Sequence, residues 1–429
     1  MDNKPTIFSL YAVIVLTLVS VLFSGCIKNT FPLHDETFIK NIGGFTAGGK
    51  GVVSIFESGS GNMILFGNCN PATPPDINTY SGLYSSNVCT INKYGNALSD
   101  SGFGWVPPSG FDLYYSAYAS YAGTDGYYFL YGTVSPAVTH IRHLDKNLRL
   151  IYDKYIPFKD SLNGSSPAFA PVKMLPANDG GWVILYGLFD NPNFYCGILE
   201  TDASFSKIKW NVNFGSRTNP NDMVSTKNGY YISFEINTYA SSANLHIGQM
   251  ELEMIDNSGN TGWYVVPDPN STDLPLNLFE VNNDSTILFY LDLNNHNNNF
   301  GALKAVTYDN IGGAFSTTYD LKENIFNVTD LSNNYSPGAV SMTADKGFVV
   351  TGGHYGVNNT NLILVKYDAG LRKQWENNFY SSVGGTSGYG VYPLKNGGYA
   401  VAAISFAFGK GINGEQNILY KTDANGQVK

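Results

Sequence analysis

Lys346-Gly347-Phe348-Val349-Val350-Thr351-Gly352, then Leu364-Val365-Lys366-Tyr367-Asp368, then Trp375, has a counterpart far upstream: Gly180-Gly181-Trp182-Val183-Ile184-Leu185-Tyr186-Gly187, Leu199-Glu200-Thr201-Asp202 and Trp210. An apolar strand, a second apolar strand ending in Asp, and a large aromatic a few residues later form a phrase. It recurs seven times. Aligned on the residue before the first strand, the copies fall at Gly61, Gly126, Gly181, Gly229, Ser285, Gly347 and Gly398, spaced by 65, 55, 48, 56, 62 and 51 residues. That period is too long for a solenoid coil and fits a four-stranded unit with loops of variable length.

Turn chemistry supports the division. Asx-Gly turns such as Asp179-Gly180-Gly181 and Asn396-Gly397-Gly398 lead into the first strand of a copy, and Asp-led turns such as Tyr367-Asp368-Ala369-Gly370 follow the second. Asp caps such turns through its side chain and Gly supplies positive φ. The aromatics Tyr152, Trp210, Trp263 and Trp375 that follow are expected to pack between neighbouring units. The expected fold is therefore all-β, a seven-bladed β-propeller.

The seventh copy has its Asp423 turn but reaches Lys429 before its aromatic. Thr37-Phe38-Ile39-Lys40-Asn41-Ile42-Gly43 offers the missing piece, with Phe38 at the spacing from Gly43 that Trp210 has from Gly215. Residues 37–43 are thus expected to be the outer strand of the last blade, closing the ring and removing an open sheet edge. The arrangement resembles the repeat-containing β-propeller lipoproteins of Bacteroidota, and more distantly the WD40-like and quinoprotein-like propellers.

The N-terminus carries Lys4 and an apolar run from Ile7 to Phe23. The run is shorter than the roughly 20 residues that span a bilayer comfortably. The stretch Leu22-Phe23-Ser24-Gly25-Cys26 resembles the lipobox of bacterial lipoproteins, with Phe23 in place of the usual Leu. The resemblance implies a signal peptide over 1–25, a lipidated Cys26 with a tether over 26–36, and a propeller over 37–429. By resemblance to Gram-negative lipoproteins, Ile27 rather than Asp after the cysteine implies the outer membrane, with acyl chains as the anchor.

Export suits the remaining cysteines: Cys69 and Cys89 flank one hairpin loop, where a disulfide is compatible with an oxidising compartment, and Cys196 reads as a small buried strand residue. The net charge of −9 provides no basic field for phosphate backbones, so nucleic acid is not an expected partner.

Both short turns of each copy lie at one end of the ring, so the variable loops share the other. Loops on a rigid scaffold are where binding groups concentrate. Asp76, Tyr80, Tyr84, Asp112, Tyr115, His296, His354 and Tyr355 lie on those loops, and aromatic faces beside amides and carboxylates suit sugar rings. His140 and His143 would point to opposite faces of one strand and so do not form a metal pair. No HExxH, GxSxG, P-loop or CxxC occurs, and no catalytic residue, metal or cofactor is expected. The expected function is a non-catalytic envelope lipoprotein binding a glycan or another envelope protein. The alternative is a propeller-type enzyme, a polysaccharide lyase or quinoprotein oxidoreductase.

Overall fold

The computed structural model describes residues 37–41, 52–69, 85–99, 116–134, 137–156, 168–190, 193–215, 218–240, 245–265, 273–282, 285–292, 302–309, 315–320, 334–355, 360–380, 385–406 and 415–428. They form strands only. The first is β1 (Phe38–Asn41), followed by β2 (Val52–Glu57), β3 (Met63–Cys69), β4 (Ser85–Ile91) and β5 (Ala97–Ser99) of blade 1. Blade 2 is β6 (Ser116–Ala122), β7 (Gly126–Val134), β8 (Ala137–Asp145) and β9 (Leu150–Ile156). Blade 3 is β10 (Ala168–Pro176), β11 (Trp182–Asp190), β12 (Asn193–Thr201) and β13 (Ile208–Gly215). Blade 4 is β14 (Thr218–Thr226), β15 (Gly229–Ala240), β16 (Leu245–Asp256) and β17 (Thr261–Val265). Blade 5 is β18 (Asp273–Asn282), β19 (Ser285–Asp292), β20 (Ala302–Asp309) and β21 (Phe315–Asp320). Blade 6 is β22 (Asn334–Met342), β23 (Phe348–Tyr355), β24 (Thr360–Tyr367) and β25 (Lys373–Phe379). Blade 7 has β26 (Gly385–Pro393), β27 (Tyr399–Phe406) and β28 (Glu415–Thr422).

Each blade is an antiparallel sheet in chain order, a to d from the inside outward, and β1 lies beside β28 as the fourth strand of the seventh sheet. The chain is a seven-bladed β-propeller. Its second strands read as unbroken apolar runs, Val183-Ile184-Leu185-Tyr186 and Val349-Val350 among them, because each sheet is covered by a neighbour on both faces. Buried apolar residues accordingly gather in seven clusters, one between each pair of successive blades. The cluster between the last blade and the first joins Leu394, Ala400, Ala402 and Leu419 to Val52, Ile55, Met63, Leu65 and Ile91, with Phe38 of β1 among them.

All seven a strands carry a register shift at the same place, between 52/54, 117/119, 171/173, 220/222, 275/277, 337/339 and 388/390. In four of them a proline precedes the extra residue: Pro171, Pro220, Pro275 and Pro337. Proline has no N–H for a ladder and is tolerated at such bulges. The bulge lets successive a strands bond to each other. The Asp222 carboxylate, 4% exposed, takes the Lys173 ammonium of blade 3, its neighbour Met223 N at 2.8 Å, and from blade 5 Leu278 N at 2.8 Å and Asn277 Nδ2 at 3.4 Å. Asn277 Oδ1 accepts Val340 N of blade 6 at 3.0 Å, and Ser341 Oγ donates to Val391 O of blade 7 at 2.6 Å. Tyr392 Oη donates to Val53 O at 2.8 Å while Tyr389 Oη accepts Val52 N at 2.9 Å, so blades 7 and 1 are tied in the same way.

The expected Cys69–Cys89 bridge does not fit the register. Cys89 stands opposite Leu65 and Cys69 opposite Ser85, four positions along the same pair of strands. At roughly 3.3 Å per residue that is about 13 Å, against the roughly 4.4–6.8 Å between Cα atoms that a disulfide requires. Cys196 is a buried strand residue, as its surroundings in the sequence suggested.

Candidate functional site

One end of the propeller is closed by turn chemistry. After the third strand of six blades an Asx residue opens the turn: Asn92, Asp145, Asp202, Asp256, Asp368 and Asp423. In the five-residue turns its Oδ1 accepts the N–H groups two and four residues on, as at Asp256 from Ser258 at 2.8 Å and Asn260 at 2.9 Å. The Asn260 side chain and these amides hold the Asp256 carboxyl below the usual range. Hydroxyls of Ser204 and Ser206 do the same to Asp202. The Oδ1 atoms of these residues thus cap the turns.

The third residue after each Asx is left-handed: Gly95, Leu148, Phe205, Gly259, Leu371 and Gly426. Where it is Gly, a ring from the outer strand of the preceding blade lies over it. Trp210 lies over Gly259, where a Cβ would sit 2.7 Å from Cδ2, and Trp375 covers Gly426 in the same way at 2.5 Å. Phe38 of β1 covers Gly95, at 2.9 Å from its Cγ. Phe38 thus occupies for blade 7 the place that tryptophan occupies for blades 3 and 6. At the other three turns the position carries an apolar side chain: Phe205 stacks on Trp182 at 5.5 Å, and Leu148 and Leu371 enter the adjoining clusters.

Above four of these turns, two positions before the Asp, stands a polar residue between blades. Glu200, 3% exposed, accepts Trp210 Nε1 at 3.0 Å and Lys209 Nζ at 2.9 Å. Lys366 reaches Asp345 at 3.0 Å, and Lys421 donates to Lys93 O of blade 1 at 2.9 Å. His143 stacks on Tyr128 at 4.0 Å with its Nε2 3.7 Å from Asp125, and burial holds its pKa down. His140 points to the other face of β8, where it stacks on Tyr131 at 4.9 Å. There Asp153 takes Tyr131 Oη at 2.9 Å and Arg142 Nη2 at 2.6 Å. Burial raises the Asp153 carboxyl, but the His140 and Arg142 contacts outweigh it and hold it low. Among the described residues no group of three His, Cys, Asp or Glu side chains is placed to hold a metal ion.

The opposite end carries the connections from b to c and from d to a. Asp76, Tyr80, Tyr84, Asp112, Tyr115 and His296 fall there but lie outside the described residues. His354 and Tyr355 are the last residues of β23, paired with Tyr335 and Asn361 and with Asn334 and Thr360, so the b strand delivers them to that end. Blade 4 differs from the rest. Its β15 and β16 have 12 residues each and pair along their whole length from Gly229↔Asp256 to Ala240↔Leu245, whereas β14 reaches only to Ile236 and β17 only to Leu252. A two-stranded hairpin therefore stands out from the loop end.

At the root of that hairpin lie Glu251 and Glu253, which sequence reasoning missed. They share the face of β16 that carries Ile255, and stand opposite Phe234 and Ile232 on β15. That face meets Val212 and Phe214 of blade 3. Glu253 is pushed up to about 7 by burial first and by Glu251 second, and burial raises Glu251 as well. The signal available in the sequence was a pair of acids alternating with Met250, Leu252 and Met254 on one strand.

Neither a family model nor a curated protein matches the chain. Among solved structures it is similar to the propeller of Dos1, with 9% identity, a TM-score of 0.49, and coverage of 90% of this chain and 83% of that one. It is also similar to a periplasmic gluconolactonase of Pseudomonas aeruginosa (8% identity, TM-score 0.48, 76% and 85% covered) and to the polysaccharide lyase Uly1 (10%, 0.47, 86% and 89%). The fold assignment rests on the strand order and the seven interblade clusters of this chain.

Proposed function

We propose that the chain is a lipid-anchored protein of the bacterial outer membrane, held through Cys26, whose propeller binds a glycan or another envelope protein at the loop end. The observation that carries this reading is the contrast between the two ends. At one, short turns consume their own carboxylates, as at Asp202, Asp256 and Asp368. At the other, connections run from two residues (135–136) to sixteen (100–115), and the blade 4 hairpin projects. A rigid ring with one variable face is suited to recognition, since the scaffold holds the loops in fixed relation at little entropic cost. The lipobox resemblance at Leu22–Cys26 supports the address. Glycan arrays and pull-downs from envelope fractions, using protein that starts at residue 27, test the binding reading. A saturable ligand whose affinity falls on substitution of His354 or Tyr355 supports it. Silence in both assays removes it.

A further inference from the structure

The blade 4 hairpin has a strand edge of its own. From Leu245 to Glu251, β16 is bonded to β15 on one side, and among the described residues no strand pairs with it on the other. An open edge presents unpaired N–H and C=O groups, which proteins ordinarily guard with Lys, Pro or a bulge. None of these occurs here: residues 236–250 contain no Asp, Glu, Lys, Arg or Pro, and the β15–β16 ladder has no register shift.

A second observation fixes the chemistry of what would fit. Glu251 and Glu253 lie where that edge meets β17, on one face of β16, and among the described residues neither carboxylate has a hydrogen bond or an ion pair. The residues that face them on the packed elements are apolar: Ile232 and Phe234 on β15, and Val212 and Phe214 on β13; on β17 the register partner of Glu253 is Tyr264. A strand added beside Leu245–Glu251 would place a side chain opposite Glu251, with Glu253 on the diagonal. Directly opposed Cβ atoms lie about 5 Å apart and diagonal ones about 7–8 Å, both within reach of a long basic side chain.

We propose that the outer edge of β16 binds an extended peptide strand from a partner protein, with a Lys or Arg of that strand set against Glu251 and Glu253. The backbone ladder supplies affinity and the acid pair supplies register and selectivity, the division of labour found in strand addition. This inference rests on the loop end being the binding face and narrows the partner there to a polypeptide.

The probe is a displayed random dodecapeptide library panned on protein beginning at residue 27, with selected peptides measured by fluorescence anisotropy. Enriched peptides should carry a basic residue and slow deuterium exchange of 245–251. A Glu251→Lys/Glu253→Lys variant should weaken them by roughly tenfold or more, one lost charge pair being worth at least about 1.4 kcal/mol, and exchanging the peptide's basic residue for Glu should restore binding to that variant. A Glu251→Gln/Glu253→Gln variant, which removes charge without adding any, should weaken them less and guards against a folding defect. No enrichment, or peptides indifferent to both variants and without protection of 245–251, overturns the proposal. If panning fails while the glycan array succeeds, the loop-end reading stands and this inference alone falls.

Discussion

Gly259→Ala isolates the contact that repeats around the ring. Two costs arise at this site. Gly259 has φ of +82°, and an L-residue held in the left-handed region costs about 1–2 kcal/mol. The added methyl would also sit 2.7 Å from Cδ2 of Trp210, inside the van der Waals limit, against an indole held by Glu200 through its Nε1. Displacing such a packed ring costs a further 1–3 kcal/mol or so, giving about 2–5 kcal/mol in total. Gly180 is the control. Its φ is +87°, yet nothing lies within 4 Å of a Cβ there, so Gly180→Ala should cost only the backbone part, about 1–2 kcal/mol. Urea unfolding followed by tryptophan fluorescence gives both values, and the excess for Gly259→Ala should shrink in a Trp210→Phe background. Equal destabilisation by the two substitutions, or an excess unaffected by Trp210→Phe, would refute the idea that the ring over glycine locks neighbouring blades.

Replacing Asp222 by Ala strips four donors of their acceptor, two of them backbone N–H groups, and should cost about 3 kcal/mol or more by chemical denaturation, with Asn in its place costing less. Because Glu253 is raised from 4.5 to about 7, the folded state holds its proton more tightly than the unfolded chain does. The associated stability is present below about pH 4.5 and is lost as pH rises towards 7, so Glu253→Gln should flatten the stability profile between those values. Asp345 works in the other direction: the Thr343 hydroxyl and then Lys366 lower it to about 2, so its contribution is lost as pH falls from about 3.8 to about 2, and Asp345→Asn should blunt that acid limb. Replacing Cys26 by Ser should abolish acylation and release the protein from the membrane fraction; retention to the same extent would end the lipoprotein proposal.

The repeat was legible because each blade spells out the same local chemistry. Asp368, Asp256 and Asp423 cap turns that need a side-chain acceptor, and the apolar runs at 182–186 and 348–350 mark strands covered on both faces. The Gly in the Asp-led phrase was legible only in part, since the same left-handed position is Leu148, Phe205 and Leu371 in other blades. Where it is Gly, a ring on the previous blade lies over it, a contact between residues about fifty apart. The inner belt escaped for a similar reason: Pro171, Pro220, Pro275 and Pro337 were a visible signal for bulges, but the bonds from Lys173 to Asp222 and from Leu278 to Asp222 exist only once the sheets are arranged in a ring. The Cys69–Cys89 pairing failed because nearness across a hairpin says nothing of register, which here sets the two residues four positions apart. Glu251 and Glu253 look like solvent-facing positions of an alternating strand until blade 3 is placed against them.

Residues near the N-terminus form the fourth strand of the seventh blade, β1 beside β28, and touch the first blade. Phe38, 9% exposed, pairs with Lys421 on blade 7 and lies over Gly95 on blade 1, and removing such a buried ring costs roughly 3–5 kcal/mol, a large part of the roughly 5–15 kcal/mol that stabilises a typical fold. Thermal unfolding of two truncated proteins, one starting at residue 37 and one at residue 44, measures the effect directly. If β1 completes the ring, the first melts like the protein starting at residue 27 and the second melts many degrees lower. Equal melting temperatures for the two would contradict it.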